Sequence, residues 1–345
     1  MTSPRIAFFA YAHNLAEVTR AIEVAKACRA QRAEIRFFTH GGTHEHLITE
    51  ADFHLSTLQP LITPEKHKFL IDLDQGRALG QPFSVSEWVA QVDAELGALQ
   101  KFEPDAAYGG MNLPSTITAK AAHIPLIYLL PAPGTPPYFS HNLAKFPDQY
   151  ENAFTRLIPQ AWKDKAVNWI MPRLSVGTGR FNKAAKKFNI PPVKTLLDIV
   201  DGDLNLLTDI PELSGLPAEA LPDNYRYVGH IFAHLPMPVP EEVKRIFSRD
   251  GLNIFCAMGS SGTPEQLRSA IAALRELGHN TVIATTTILD PAELESLPEN
   301  IYATRYLPAP EVNEMADIAL IHGGQGTVQT ACWAGTPVGG VGFQV

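Results

Sequence analysis

Several things are scarce in this sequence. Its three cysteines, Cys28, Cys256 and Cys332, are isolated. They form no CxxC pair, so the chain carries neither a disulfide framework nor a zinc-site spacing, and the usage fits a reducing compartment. No run of 18 apolar residues occurs, and the opening MTSPRIAFFAYAHN has no signal-peptide apolar core. A basic excess is also missing. The net charge of −8 leaves no overall footprint for nucleic acid. Glycine is absent from the first 40 residues, so the first turn cannot spell G-x-G-x-x-G, which argues against an NAD-binding first domain. What remains is a globular composition, 45% hydrophobic and 19% charged, at a length that suits two domains.

The pattern that is present alternates strand and helix. Residues 5–10 read as a buried strand, 11–14 as a turn, and Leu15–Ala30 as a helix with Leu15, Val18, Ile22, Ala25 and Cys28 at helical spacing. A second strand follows over 35–39, which makes a βαβ opening. Further strands are predicted over 104–108, 124–130, 204–208 and 225–229, with helices over 85–99 and 115–122. A proline-rich stretch, 234–240 (HLPMPVP), reads as a linker. After it the alternation restarts: strand 252–257, turn 258–262, helix Pro264–Leu277, strand 281–285, a short helix 292–297, strand 301–306 and a helical turn 311–315. The fold class is α/β, with two Rossmann-like, doubly wound parallel-sheet domains, 1–233 and 241–345.

The stretch richest in chemistry is 319–345, ALIHGGQGTVQTACWAGTPVGGVGFQV. It reads as a strand end, a turn His322-Gly323-Gly324-Gln325-Gly326-Thr327, and a helix over 328–334 closed by Gly335 with Pro337 beyond. Three glycines in four residues are read as turn. Such a turn aims free N–H groups and a helix N-terminus at one point, an anion site, to which His322 and Thr327 add side-chain donors. His13 stands in the turn after the first strand, at the strand's carboxyl end, where α/β sheets place ligands. An imidazole with an ordinary pKa near 6.5 suits proton abstraction from a hydroxyl.

HGGQGT followed by Ala331, Gly335 and Pro337 resembles the signature of GT-B glycosyltransferases of the UDP-glucuronosyl/macrolide glycosyltransferase superfamily, H-G-G-x-G-T-x-x-E-A-x-x-x-G-x-P. Thr330 stands where the family has the Glu that holds the ribose hydroxyls. Gly259-Ser260-Ser261 resembles the family loop that faces the diphosphate, and Leu307-Pro308 its base-binding turn, with Ala309 at the usual Gln. Glu212, Leu213 and Gly229 resemble a further family segment, with His230 at its proline. His13 falls at the acceptor-activating histidine, and Gly110 at the Asp that supports it. The resemblance implies two domains facing a cleft and an inverting, metal-independent glycosyltransferase. It would move a sugar from a nucleotide-diphosphate sugar, of UDP or dTDP type, to a hydroxyl of a small-molecule or lipid acceptor. It implies His13 as catalytic residue and a donor nucleotide site of Gly259, Ser260, Ser261, Leu307, His322, Gly323, Gly324, Gln325, Gly326 and Thr327, with no metal and no further cofactor. Alternatives are a non-catalytic nucleotide-binding protein or a sugar-nucleotide epimerase on the same fold. The resemblance also implies a second domain truncated at Val345, with the strand carrying Val338, Val341 and Phe343 partly bare and the donor-sugar contacts missing.

The other motifs are weaker. Asp72-x-Asp74 and Asp201-x-Asp203 spell the metal handle of a different glycosyltransferase fold, but neither follows a strand of the nucleotide domain. His40, His44, His46 and His54 match no zinc spacing and read as a surface loop. The proline-rich 130–138 is a rigid loop, either a wall of an acceptor pocket or a structural turn. Across 160–190, Lys163, Lys165, Arg173, Arg180, Lys183, Lys186 and Lys187 face one acid, Asp164, with Trp162, Trp169, Ile170 and Met171 interleaved. Two readings are open: peripheral contact with an anionic membrane, or a solvated helix whose tryptophan face is buried. The chain reads as cytoplasmic; under the first of these readings 160–190 would be a peripheral contact to the inner membrane face, under the second it would not.

Overall fold

The computed structural model describes residues 3–74, 78, 80–147, 150–232, 237–259 and 262–340. The strands are β1 (Arg5–Phe9), β2 (Glu34–Thr39), β3 (His54–Thr57), β4 (Ala106–Gly109), β5 (Leu126–Leu130), β6 (Leu204–Leu207), β7 (Tyr225–Tyr227), β8 (Asn253–Ala257), β9 (Asn280–Ala284), β10 (Ile301–Thr304), β11 (Ile318–Ile321) and β12 (Val338–Gly340). The helices are α1 (Leu15–Ala30), α2 (Glu45–Glu50), α3 (Pro64–Asp74), α4 (Val85–Phe102), α5 (Pro114–Ala122), α6 (Pro136–Ser140), α7 (Gln160–Ile170), α8 (Thr178–Ala185), α9 (Pro211–Ser214), α10 (Glu241–Phe247), α11 (Pro264–Leu277), α12 (Ala309–Met315) and α13 (Gln325–Ala334). Apart from 74–77, the chain divides into two compact units with the boundary between Ile231 and Phe232.

The first unit holds a seven-stranded sheet in the order β3-β2-β1-β4-β5-β6-β7. The second holds five strands, β10-β9-β8-β11-β12. All pairings are parallel. A parallel sheet is covered on both faces, and β1 shows how its residues serve both. Ala7 and Phe9 pack with Leu99, Phe102 and Tyr128 on one side. Phe8 packs with Val18, Ile22 and Phe37 on the other. Each sheet starts in its middle, winds to one edge, then returns past its first strand. That order places a topological switch between β1 and β4 in the first unit and between β8 and β11 in the second, where carboxyl-end loops part and leave a crevice.

The expected class of two doubly wound α/β sheets is what the chain adopts. Local differences have clear causes. The helix predicted over 328–334 begins three residues earlier, at Gln325, so Gly326 lies in a helical first turn. Over 292–297 only the 3-10 turn Pro291–Glu293 forms, capped by Asp290, and the chain turns extended at Leu294. Of the linker, 237–240 has no regular structure; the remaining part of 234–240 lies outside the described residues.

Candidate functional site

In the second unit, β8 and β11 run side by side, with Ile321 paired to Ala257. Their carboxyl ends deliver Met258-Gly259 and His322-Gly323-Gly324 to one place. Gly323 has φ +80° and Gly259 φ +61°, both left-handed conformations that favour glycine. The imidazole of His322, 6% exposed, is clamped between these loops. A Cβ on Gly259 would lie 2.3 Å from His322 Cε1, and one on Gly324 would lie 2.2 Å from Nε2. Two of the motif's glycines therefore make room for the histidine itself. Burial lowers the His322 pKa, against a smaller upward pull from the Ala257 carbonyl, so the ring is neutral at pH 7.

Gly324 is the N-cap of α13 and offers no side chain to cap it. The first intrahelical bond is Val328 N–H to Gly324 O, 3.1 Å; a helix's first-turn N–H groups precede its own hydrogen-bond ladder, which is what makes such a terminus an anion site. Thr327 differs from its sequence reading: its hydroxyl donates to Gly324 O at 2.8 Å. The turn uses that donor, and Thr327 has its main-chain N–H left to give. Thr330 is buried and donates to Gly326 O at 2.6 Å. Leu307 is buried with Val282, Val312 and Ile321, so only its backbone is free to meet a ligand. Thr286 donates to Gly259 O and pins that loop, a role no sequence signal announces. Ser260 and Ser261 lie outside the described residues, as do Val341 and Phe343.

In the first unit, His13 follows β1 at the β1/β4 switch. Asn14 caps α1 by accepting from Ala16 and Glu17 N–H, which fixes the turn. His13 Nε2 lies 3.2 Å from Ile62 O. A carbonyl only accepts, so Nε2 carries the proton and Nδ1 carries the lone pair in the neutral ring. The ring stacks on His67, with centroids 4.6 Å apart at 20°. His67 Nδ1 is 2.8 Å from the Tyr11 hydroxyl, with the donor set by the His67 tautomer, and burial raises the Tyr11 pKa and keeps that hydroxyl protonated. Desolvation lowers the pKa of His13, against upward pulls from Ile62 and Glu45. His67 falls to about 4, from burial and then from His13 and His44. At Gly110 an ideal Cβ would lie 3.4 Å from Phe9 O and 3.5 Å from Glu17 Oε2, ordinary contacts, and Glu17 pairs with Arg20. An Asp at 110 would set a second carboxylate beside that of Glu17. Ile62 and His67 were not legible as neighbours of His13, because the β3-β2-β1 order brings the segment after β3 to it; Tyr11 and Glu17 are close to it in sequence, and their partners are what the sequence did not show.

The weaker motifs resolve structurally. His40 and His44 are buried, not on a surface loop, because the 40–45 segment packs onto Ala12. His40 Nδ1 donates to Pro60 O at 2.9 Å, and Nε2 is 3.4 Å from Glu95. Among the described residues no three His, Cys, Asp or Glu converge as a metal site. Asp201 accepts from Asn205 and Tyr225, and Asp203 from Leu126 N–H. Asp72 lies on α3 and accepts from Lys68 at 2.7 Å. In the 130–138 loop, Asp209 accepts from Ala132 N–H at 2.8 Å, which makes it a fastened turn.

No family model matches the chain. It is 26% identical over 349 residues to "PGL/p-HBAD biosynthesis rhamnosyltransferase" of Mycobacterium bovis BCG, covering 98% of this chain and 72% of that one. It is 26% identical over 339 residues to "PGL/p-HBAD biosynthesis glycosyltransferase" of Mycobacterium tuberculosis H37Ra, covering 98% and 75%. Among solved structures, Spinosyn Forosaminyltransferase SpnP superposes with TM-score 0.64 at 17% identity, over 98% of this chain and 79% of that one. The glycosyltransferase SnogD from Streptomyces nogalater gives TM-score 0.63 at 19% identity, over 98% and 81%. The chain shares the GT-B fold of these structures, and the relatives it matches in sequence are named glycosyltransferases. A third relative, 25% identical over 272 residues (78% of this chain, 70% of that one), is named "Inactive PGL/p-HBAD biosynthesis glycosyltransferase" and comes from Mycobacterium bovis BCG. Among the described residues no helix is long and apolar enough to cross a membrane.

Proposed function

We propose that this chain is an inverting, metal-independent glycosyltransferase using a nucleotide-diphosphate sugar. The observation that carries the reading is the uncapped N-terminus of α13 beside the clamped, neutral His322 at a sheet switch point. Main-chain N–H groups of Gly324 to Thr327 and the helix dipole meet the diphosphate charge, in the ground state and more strongly as the leaving group forms. His322 adds a neutral N–H donor to an anionic acceptor. His13 acts through Nδ1, takes the proton of an acceptor hydroxyl, and the oxygen attacks the anomeric carbon opposite the leaving diphosphate. The configuration at that carbon inverts.

The donor is of dTDP type rather than UDP. Thr330 is buried and bonded to Gly326 O, so it presents no carboxylate to a ribose 2′,3′-diol, and a deoxyribose needs none. The neighbour VinC, TM-score 0.62, was solved in complex with dTDP, which agrees with this choice. The acceptor is a hydroxyl compound, small molecule or lipid. Calorimetric titration with dTDP and UDP, followed by a transfer assay with dTDP-sugars and anomeric analysis of the product by NMR, tests the reading. Tighter dTDP binding and a β-product from an α-donor are expected; retained configuration removes the inverting mechanism. His322→Ala should weaken dTDP about 10- to 150-fold, the 1.5–3 kcal/mol of a hydrogen bond to a charged group. A second reading, nucleotide binding without transfer, draws on Gly110 beside Glu17 and would appear as dTDP binding with no product.

A further inference from the structure

The tryptophan helix of the first unit is built inside out. In α7 the polar residues Lys163, Asp164 and Asn168 are buried, while Trp162 and Trp169 are 71% and 62% exposed. The inward polar face is fully engaged. Lys163 pairs with Glu151 and lies over the Phe146 ring. Asp164 accepts from Phe146 N–H at 2.9 Å, Gln160 at 2.8 Å and Lys145 at 3.0 Å. Asn168 exchanges two bonds with the Ala144 main chain, 3.1 and 2.8 Å. The reading in which the tryptophan face is buried is thereby overturned: hydrogen bonds fasten this helix to the 144–151 segment, and its aromatic side faces out.

The outward stripe has a definite composition. Lys165, Ala166, Trp169 and Arg173 lie three, four, seven and eleven residues on from Trp162, which keeps all five on one side of a helix and its continuation. Arg173 stacks on the Trp169 ring at 4.9 Å and donates to its carbonyl at 2.8 Å. Phe154 and Leu157, just before the helix, are also exposed. The nearby acids are engaged, Glu151 by Lys163 and Arg156, Asp164 by Lys145. Lys183, Lys186 and Lys187 follow in α8 and the turn after it, all exposed. An acidic chain thus carries a locally basic, aromatic surface.

We propose that this surface docks on an anionic lipid bilayer, with the indoles of Trp162 and Trp169 at the headgroup–acyl boundary and Lys165 and Arg173 on lipid phosphates. Indoles are favoured at that boundary because one edge is apolar and the N–H is wet. Basic side chains supply attraction that apolar area alone would lack. A second copy of the chain fits less well: a two-fold contact through this stripe would set Lys165 and Arg173 against their own like charges. The inference is independent of the sugar-transfer reading, since none of these residues belongs to the His13 or His322 sites.

Flotation with vesicles of phosphatidylcholine alone, and of phosphatidylcholine with one quarter phosphatidylglycerol, tests it. Binding to the anionic vesicles is expected, weakened by high salt, and reduced about 10-fold or more in Trp162→Glu/Trp169→Glu. Lys165→Glu/Arg173→Glu should abolish the salt-sensitive part. Both pairs are exposed, and unchanged circular dichroism and melting would show that the fold survives. Equal recovery with both vesicle types, no recovery at all, or recovery unaffected by either double variant overturns the proposal. So does a dimer in sedimentation velocity that the tryptophan variant converts to monomer without altering flotation.

Discussion

In sequence the glycines of the HGGQGT motif look alike; in the structure each has a different reason to be glycine. Gly323 needs its positive φ, Gly324 and Gly259 leave room for the His322 ring, and Gly326 has nothing within 4 Å of its ideal Cβ. Gly324→Ala and Gly259→Ala should therefore each destabilise the second unit by about 1–3 kcal/mol, the overpacking range, with a visible fall in melting temperature. Gly326→Ala should do the reverse. It sits in a helical turn with open space, so a gain of about 0.4–1 kcal/mol is expected. If a phosphate approaches that backbone, the same variant loses dTDP affinity while gaining stability, a split that calorimetry and thermal melts read separately. The histidines of the first unit make a prediction of their own. His67 falls from its ordinary 6.5 to about 4 because burial and neighbouring imidazoles oppose its charge. The unfolded state then binds the proton more readily, so the contribution to stability is complete above pH 6.5 and is lost progressively as pH falls from 6.5 towards 4. Melting temperature measured across that window should decline, and His67→Gln should flatten the decline. The lowered His13 pKa likewise puts the acid limb of the kcat/KM profile below pH 6.5.

At the scale of elements, the α1 and α11 boundaries were readable to the residue, because caps and apolar spacing coincide: Asn14 caps one, and Thr263 with Gln266 forms a capping box on the other. The extra turn of α13 was not readable, since Gly326 has weak helix propensity and only the geometry after β11 holds it helical. Nor was the orientation of α7, whose aromatic spacing suits a buried stripe until its polar partners in 144–151 are known. Strand order is beyond local pattern altogether, and with it the neighbours of His13. The same holds for Glu95 in α4, 0% exposed, which binds Asn112 at 2.6 Å after β4, Thr118 in α5, and faces His40 after β2. One carboxylate ties the loop after β4 to α5 and faces the turn after β2. Glu95→Ala leaves those donors buried without an acceptor and should lower stability by about 2–4 kcal/mol in urea denaturation. Glu95→Gln, which keeps one acceptor oxygen, should lose less. A Glu95→Ala chain as stable as the parent would show that the network is replaced by water.

For the whole molecule the decisive question is what neutralises the diphosphate. Acid pairs at DxD spacing offer a divalent ion as one answer, and the α13 terminus offers another. Asp201 and Asp203 hold Asn205, Tyr225 and Leu126 N–H, so they fasten β5, β6 and β7 to one another. Asp72 is engaged with Lys68 on α3. The His322 turn offers N–H groups, a neutral ring and the positive end of a ten-residue helix. Charge of this kind is built into the backbone and cannot be removed by a chelator. Sugar transfer should therefore proceed at the same rate with EDTA as with added Mg²⁺ or Mn²⁺, while His322→Ala lowers it through donor affinity. Asp201→Asn should reduce melting temperature, because a weaker acceptor then serves Asn205 and Tyr225, and leave metal response unchanged. Transfer that stops in EDTA and returns with Mn²⁺ would mean that an ion carries the leaving-group charge, and the α13 terminus would then be a positioning element for the nucleotide instead.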